Sequence, residues 1–243
     1  MSPEIPVSVT QVSPEPILHP RVRSLAGLST GELLIHEIYR SIQGEGTFAG
    51  LPCVFIRLTA CHLRCTYCDT AHAFHSGTKQ TCDDVFREAI ALGDELVEIT
   101  GGEPLLQPEV LPLISQLADA GRTVLVETSG AVDISPVDPR ARVILDVKTP
   151  GSGEVLANYW PNLGILKATD EVKFVVCDRA DFDWSIECIR KHTLIGRCPI
   201  LIAPVFGRVD GPELTGWILE SRLPLRLQLQ LHKLLWKPNA RGV

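Results

Sequence analysis

The stretch Cys61-His62-Leu63-Arg64-Cys65-Thr66-Tyr67-Cys68-Asp69-Thr70 decides how the rest of the chain is read. Three thiols at C-x3-C-x2-C spacing can turn their sulfurs toward one centre, and thiolates are soft ligands that suit zinc or iron–sulfur clusters. A closed zinc site takes four ligands and a four-iron cluster takes four thiolates, yet the loop offers three. A Cys3His zinc site would draw its fourth ligand from His62, His72 or His75. A 4Fe–4S cluster would leave one iron open to bind a cofactor. Spacing leaves both open, and the choice rests on the flanking sequence.

Just upstream, residues 53–59 read as a strand, with Val54, Ile56 and Leu58 on one face and Phe55, Arg57 and Thr59 on the other. A guanidinium carried there needs an anion, either an acidic side chain of the protein or a substrate carboxylate. Residues 33–39 predict the first strand, leading into Ser41-Ile42-Gln43-Gly44-Glu45-Gly46. Ala49 stands where a dinucleotide fingerprint needs its third glycine, so this is a polar loop and not a phosphate cradle.

Downstream, strands and helices alternate. Strands are expected at 96–100, 123–127, 143–145, 171–176, 200–203 and 225–229, with helices at 83–92, 108–120, 182–195 and 211–222. Such alternation implies a parallel sheet covered by helices. Polar and glycine-rich groups follow the strands: the cysteines, Gly101-Gly102-Glu103-Pro104, Thr128-Ser129-Gly130 and Asp146-Val147-Lys148. In barrel-like α/β folds that edge carries the active site. Gln228, Gln230 and His232 alternate with leucines and share a polar face; Glu171 and Lys173 alternate with apolar neighbours and receive no role.

The totals exclude several classes. The chain has 243 residues, enough for one sizeable core, and a formal net charge of −6, which is no basic footprint for nucleic acid. No apolar run approaches the roughly 18 residues of a membrane span, and the start lacks the pattern of a signal peptide, so a cytoplasmic protein is expected. Eight cysteines in such a chain point to metal or catalysis and not to a disulfide framework. Residues 1–32 are Pro-rich and expected to form a flexible extension, ahead of a catalytic domain over 33–243.

The three-cysteine loop with Tyr67 before its last thiol, followed by Gly-Gly-Glu-Pro after the next strand, resembles the radical S-adenosylmethionine (SAM) superfamily. The resemblance implies an α/β fold, an incomplete (β/α) barrel of the radical SAM type. It implies a 4Fe–4S cluster on Cys61, Cys65 and Cys68, and SAM cleaved at the open iron to a carbon radical. Over residues 33–236 the chain is more closely similar to the 7-carboxy-7-deazaguanine synthase family, through Ser41 to Gly46, Phe55 to Leu58, Cys68-Asp69-Thr70, Glu127 to Gly130 and Gln230 to Trp236.

That likeness implies conversion of 6-carboxy-5,6,7,8-tetrahydropterin to 7-carboxy-7-deazaguanine with loss of ammonia, on the way to queuosine-type deazapurines. It implies Mg2+ on Thr70, a homodimer and an electron donor such as flavodoxin. Ile42, Gln43, Gly44, Arg57 and Thr100 match positions that contact the pterin. Tyr67, Cys68, Asp69, Gly102, Ser129, Asp146, Val147 and Lys148 match the SAM side, although the family often has Ser where Asp146 stands. His232 lies in the segment expected to close over substrate. Two other readings stand beside this one: a glycyl-radical activating enzyme, which acts on a protein and has no use for Arg57 and Thr70, and a zinc-stabilised binding module.

Overall fold

Along β2 (Pro52–Leu58) every second side chain changes surroundings. Val54, Ile56 and Leu58 are fully buried on the outer face, against helical residues such as Val85, Ala89, Leu113 and Leu117. Each such burial contributes about 1.5–3 kcal/mol. Cys53 and Phe55 point the other way, joining Leu96, Leu125 and Ile144 in an apolar plug inside the sheet, flanked by Tyr39 and Phe48.

In the computed structural model, which describes residues 20–237 and 240–242, nine strands form one sheet. Beside β2 these are β1 (Glu32–Ile42), β3 (Thr78–Thr81), β4 (Leu96–Gly101), β5 (Thr123–Thr128), β6 (Arg142–Asp146), β7 (Glu171–Val176), β8 (Ile200–Pro204) and β9 (Arg226–Leu227). Their order is β3-β1-β2-β4-β5-β6-β7-β8-β9. β1 runs antiparallel to both its neighbours, and every pair from β2 to β9 is parallel. The end strands β3 and β9 are not neighbours, so the barrel is incomplete, as the resemblance implies.

The covering helices are α1 (Cys82–Leu92), α2 (Val110–Asp119), α3 (Asn162–Ile165), α4 (Arg179–Lys191) and α5 (Gly211–Ser221), with α6 (Leu231–Leu235) closing the order. Thr81, Asp178 and Asp210 cap the starts of α1, α4 and α5 by accepting from backbone N–H groups.

The two-residue period of the strands then positions the site. Two residues beyond the apolar plug stand Arg57 after Phe55, Glu98 after Leu96, Glu127 after Leu125 and Asp146 after Ile144, so the interior turns polar toward the C-terminal ends.

Packing begins ahead of the boundary expected at residue 33. Pro20–Leu25 forms a 3-10 turn whose Val22 and Leu25 are buried against Leu34 and Ala60. The rest of the expected extension, residues 1–19, lies outside the described residues. The strand expected at 225–229 spans only Arg226–Leu227: the Gln228 N–H makes a last bond to β8, at the Ile202 carbonyl, and the Leu231 N–H then turns to the Gly44 carbonyl as α6 begins.

Candidate active site

The cysteine loop is held from two sides. Ala60, at φ 82°, turns the chain out of β2. Its N–H donates to the Ala73 carbonyl, and its own carbonyl accepts from the Glu103 N–H at 2.8 Å. Gly102 N donates to Leu58 O at 3.2 Å, so the Gly101-Gly102 turn lies directly on the backbone leading into Cys61. A side chain at Gly102 would be driven into the Ala60 carbonyl. Those glycines therefore serve close approach to the loop itself, where the sequence suggested only approach to a ligand.

Cys61, Cys65 and Cys68 line one cavity of about 540 Å3 and share a small apolar cluster with Leu63 and Phe74. Burial pushes the Cys61 thiol up to about 12, and the Leu63 N–H points at its sulfur from 3.4 Å. A thiolate there needs a positive centre, and iron with a backbone N–H donor supplies such surroundings. A single zinc with Zn–S bonds of about 2.3 Å would draw three sulfurs together to about 4 Å. The described trio whose ligand atoms all lie within 4.8 Å of one another is instead His36, Glu37 and His72, and the three thiols form no such set. The loop fits the larger cluster.

Thr70 lines the cavity with its Oγ1 3.7 Å from Cys68 Sγ, and its side chain caps no helix. Asp69 is committed elsewhere, to Lys233 Nζ at 2.8 Å and Gln230 Nε2 at 3.3 Å. The Thr70 hydroxyl is a hard oxygen at the cavity, which suits a Mg2+ that keeps its waters and takes its other ligands from substrate.

On the other side of the loop, the buried Glu103 carboxylate accepts from Thr128 Oγ1 at 2.9 Å, from the Ser129 N–H at 2.7 Å and from Ser129 Oγ. The Ser129 hydroxyl is thus occupied by Glu103, although Ser129 and Gly102 both line the cavity. Lys148 Nζ lies 2.8 Å from Asp146 Oδ2, and the charges of Asp146, Cys65 and Tyr67 outweigh burial and raise its pKa. Asp146 Oδ1 is buried with no hydrogen-bond partner among the described residues. The Lys148 backbone is clamped at both ends by the Asn158 amide. Val147 departs from expectation. Strand alternation sends its side chain into the outer core, and its N–H donates to Lys173 O at 2.8 Å.

Toward the other wall, Arg57 Nε meets Glu37 at 2.9 Å and Nη2 meets the Tyr39 hydroxyl at 3.2 Å. Glu37 stands opposite Arg57 in the β1–β2 register, so a protein carboxylate is one partner. Nη1 has, among the described residues, only a long contact, 3.5 Å, to Gly101 O, and Arg57 lines the cavity. Gln43 is buried, with Nε2 donating to Glu98 and Oε1 accepting from the Glu45 N–H. Ile42 and Gly44 line the same wall, and Thr100 Oγ1 donates to Glu127 at 3.2 Å. Gly44 abuts His232, whose Nδ1 would stand 2.7 Å from a Cβ at position 44.

Sequence reasoning missed the centre of this wall. Lys173 Nζ is buried among Glu127, Glu45 at 3.2 Å and Asp146 at 3.9 Å. Burial alone would lower its pKa, but these carboxylates raise it well above the ordinary lysine value. Glu127 is lowered, because Lys173 outweighs its burial, whereas Glu98 is raised by burial and by Glu127. The signal was present: in a parallel strand covered on both faces, a charge between Val172 and Phe174 points into the barrel. Gln228 and Gln230, read as a solvated face, donate to Glu45 at 2.6 Å and 2.8 Å.

The chain matches the radical SAM superfamily over residues 55–196. It is 44% identical to the 7-carboxy-7-deazaguanine synthase of Chlorobaculum tepidum, covering 87% of this chain and 97% of that one. The chain belongs to the 7-carboxy-7-deazaguanine synthase family. A second such synthase, from Koribacter versatilis, is 43% identical over 86% of this chain and 99% of its own length. The crystal structure of QueE from Escherichia coli superposes with a TM-score of 0.65 at 25% identity, covering 81% of this chain and 92% of that one. Membership of the family implies a 4Fe–4S cluster and SAM as cofactors. No described helix of this 7-carboxy-7-deazaguanine synthase relative is long and apolar enough to cross a membrane.

Proposed function

We propose that this cavity binds 6-carboxy-5,6,7,8-tetrahydropterin and contracts its ring to 7-carboxy-7-deazaguanine with release of ammonia. The observation that supports the reading is that one cavity is lined both by the three thiols with Asp146 and Lys148 and by the charged groups Arg57, Glu98, Glu127 and Lys173. A 4Fe–4S cluster on Cys61, Cys65 and Cys68, with SAM on its open iron, would supply the one-electron cleavage that removes a hydrogen atom from substrate.

The chain's own residues bind and orient. Arg57, its guanidinium plane fixed by Glu37 and Tyr39, offers its Nη1 edge to a substrate carboxylate. Thr70 offers Mg2+ one neutral oxygen, leaving the remaining positions to water and to that carboxylate. Glu98, whose carboxyl burial and Glu127 push above the ordinary value, and the Gln43 amide present hydrogen-bonding groups to the edge of a heterocycle. Lys148 and Asp146 face the SAM side, where the orphaned Asp146 Oδ1 can accept from an ammonium or hydroxyl group of the cofactor. Gln230, His232 and Lys233 line the same cavity. An electron donor of the flavodoxin kind, a homodimer and a cytoplasmic location complete the proposal and rest on the family resemblance.

The test is anaerobic reconstitution with iron and sulfide, followed by product analysis by mass spectrometry. Product that requires SAM, reductant and the carboxypterin together is expected. Reconstituted, iron-loaded protein that cleaves SAM but leaves the pterin unchanged would overturn the substrate assignment, and colourless protein with zinc in the thiol loop would overturn the cluster.

A further inference from the structure

β1 contains an irregularity that no role above uses. Its register with β2 pairs Ile35 with Leu58 and then Glu37 with Arg57, so His36 is the extra residue of a β-bulge. Consecutive side chains of a regular strand point to opposite faces, whereas a bulge re-aims one of them, and bulges recur next to functional sites. The bulge brings His36 and Glu37 together with His72, which follows the cysteine loop. Ligand atoms of all three lie within 4.8 Å of one another, and the two imidazole centroids are 5.0 Å apart.

Both rings are poised as ligands. His36 Nδ1 lies 2.7 Å from the Ser76 carbonyl oxygen. A carbonyl only accepts, so Nδ1 carries the proton and Nε2 keeps its lone pair, the arrangement that a backbone carbonyl imposes on metal-binding histidines. His72 Nε2 is buried and has no hydrogen-bond partner among the described residues. A buried polar nitrogen left so is uncommon and calls for an explanation such as an ion.

We propose that His36, Glu37 and His72 bind a divalent transition-metal ion of the zinc type at the rim of the pocket. Two imidazoles and a carboxylate are the donor set of a three-ligand zinc site with an open fourth position. Zinc bonds of about 2.0–2.2 Å ask the trio to close by roughly an ångström. The charges of Arg57 and Arg241 both act on His72, which disfavours a hard cation held by charge alone and leaves the advantage to a metal that bonds well to nitrogen. Glu37 already accepts from Arg57 Nε at 2.9 Å through Oε1, so it would bridge metal and guanidinium, with Arg57 orienting the ligating carboxylate. The donor set differs from that at Thr70, and the site stands independently of the reaction proposed above.

The test uses the reconstituted holoenzyme, in which iron occupies the loop thiols. Equilibrium dialysis against Zn2+ with metal analysis should find one zinc per chain beyond the cluster iron. His36→Ala and His72→Ala should each lose that zinc while keeping their iron, with His36→Gln carried alongside as a milder change. Zinc-edge X-ray absorption on the wild-type protein should show nitrogen and oxygen neighbours with imidazole scattering. A wild-type holoenzyme that takes up no zinc, variants that bind it with unchanged affinity, or a sulfur coordination shell would each overturn the assignment.

Discussion

Glu103 and Ala60 are joined by a 2.8 Å backbone hydrogen bond, and that bond lays the glycine turn after β4 against the entrance to the cysteine loop. Gly102, one residue before Glu103, has no room for a Cβ beside the Ala60 carbonyl. Gly102→Ala must push the two segments apart, at a cost of about 1–3 kcal/mol by analogy with overpacked cores. Lower iron content after reconstitution and a lower thermal midpoint are expected. Native iron and midpoint with weakened SAM binding alone would make the glycine a ligand contact instead.

Arg57→Lys should weaken pterin binding despite equal charge. Lysine cannot hold Glu37 and Tyr39 while also presenting a free edge to a substrate carboxylate. Loss of one charge-assisted bond is worth about 1.5–3 kcal/mol, or roughly ten- to more than a hundredfold in affinity. Calorimetric titration of the holoenzyme checks it. Unchanged affinity with reduced stability would leave Arg57 as the partner of Glu37 only.

Glu98 predicts a pH dependence of stability. Its carboxyl is raised above the ordinary value of 4.5 by burial and by Glu127, so the folded chain holds that proton more tightly than the unfolded one. The associated stability is fully present below the unfolded value and is lost as pH rises toward the folded one. Glu98→Gln keeps an acceptor for Gln43 and removes this slope, which is at most about 1.4 kcal/mol per pH unit. Unfolding curves for both proteins should diverge in favour of the variant as pH rises above the ordinary carboxylate range. Parallel curves would place the proton elsewhere.

Lys173→Met should destabilise strongly, because Glu127, Glu45 and Asp146 would lose the cation that balances them. Breaking a buried pair from one side costs about 3–5 kcal/mol. Adding Glu127→Gln should restore part of the loss, giving a non-additive cycle in denaturant unfolding. Additive costs would mean that the two side chains act separately.

Mg2+ and the carboxypterin should bind with positive coupling, each raising the other's affinity by the same factor. A single threonine oxygen gives a weak site until the substrate carboxylate joins it. Thr70→Ala should reduce the coupling and spare the cluster, whose iron content is read separately. Equal Mg2+ affinities with and without substrate would remove Thr70 from the metal.

The outline of the barrel was legible because the strands carry their own period. Val54, Ile56 and Leu58 against Phe55 and Arg57 already separate an outer from an inner face, and β4, β5 and β7 repeat the pattern. The thiols were legible because all three lie in one loop. The charged wall was not, because Lys173, Glu127, Glu98 and Glu45 sit on different segments and each alone looks like a solvated position. Only the pairing of β4 through β7 and the return of the Glu45 loop bring them together. β3 escaped notice because Thr-Lys-Gln-Thr has no apolar member to mark a face. The polar alternation of Gln228, Gln230 and His232 resembled a strand, yet the chain coils into α6 at Leu231 once Gln228 has paired with β8 and Glu45. Arg57 left two readings open, and its register partner Glu37 could be known only from the pairing.

The hydrogen bonds from Gln228 and Gln230 to Glu45 join positions 183 and 185 residues apart, and the Leu231 N–H meets the Gly44 carbonyl beside them. A ribosome building this chain makes the loop of three thiols well before Gln228 and Gln230, the partners of Glu45. A nascent chain can therefore expose its three loop thiols while it still lacks the segment that pairs with Glu45. Assembly at the thiol loop can thus begin before the pocket around it is complete.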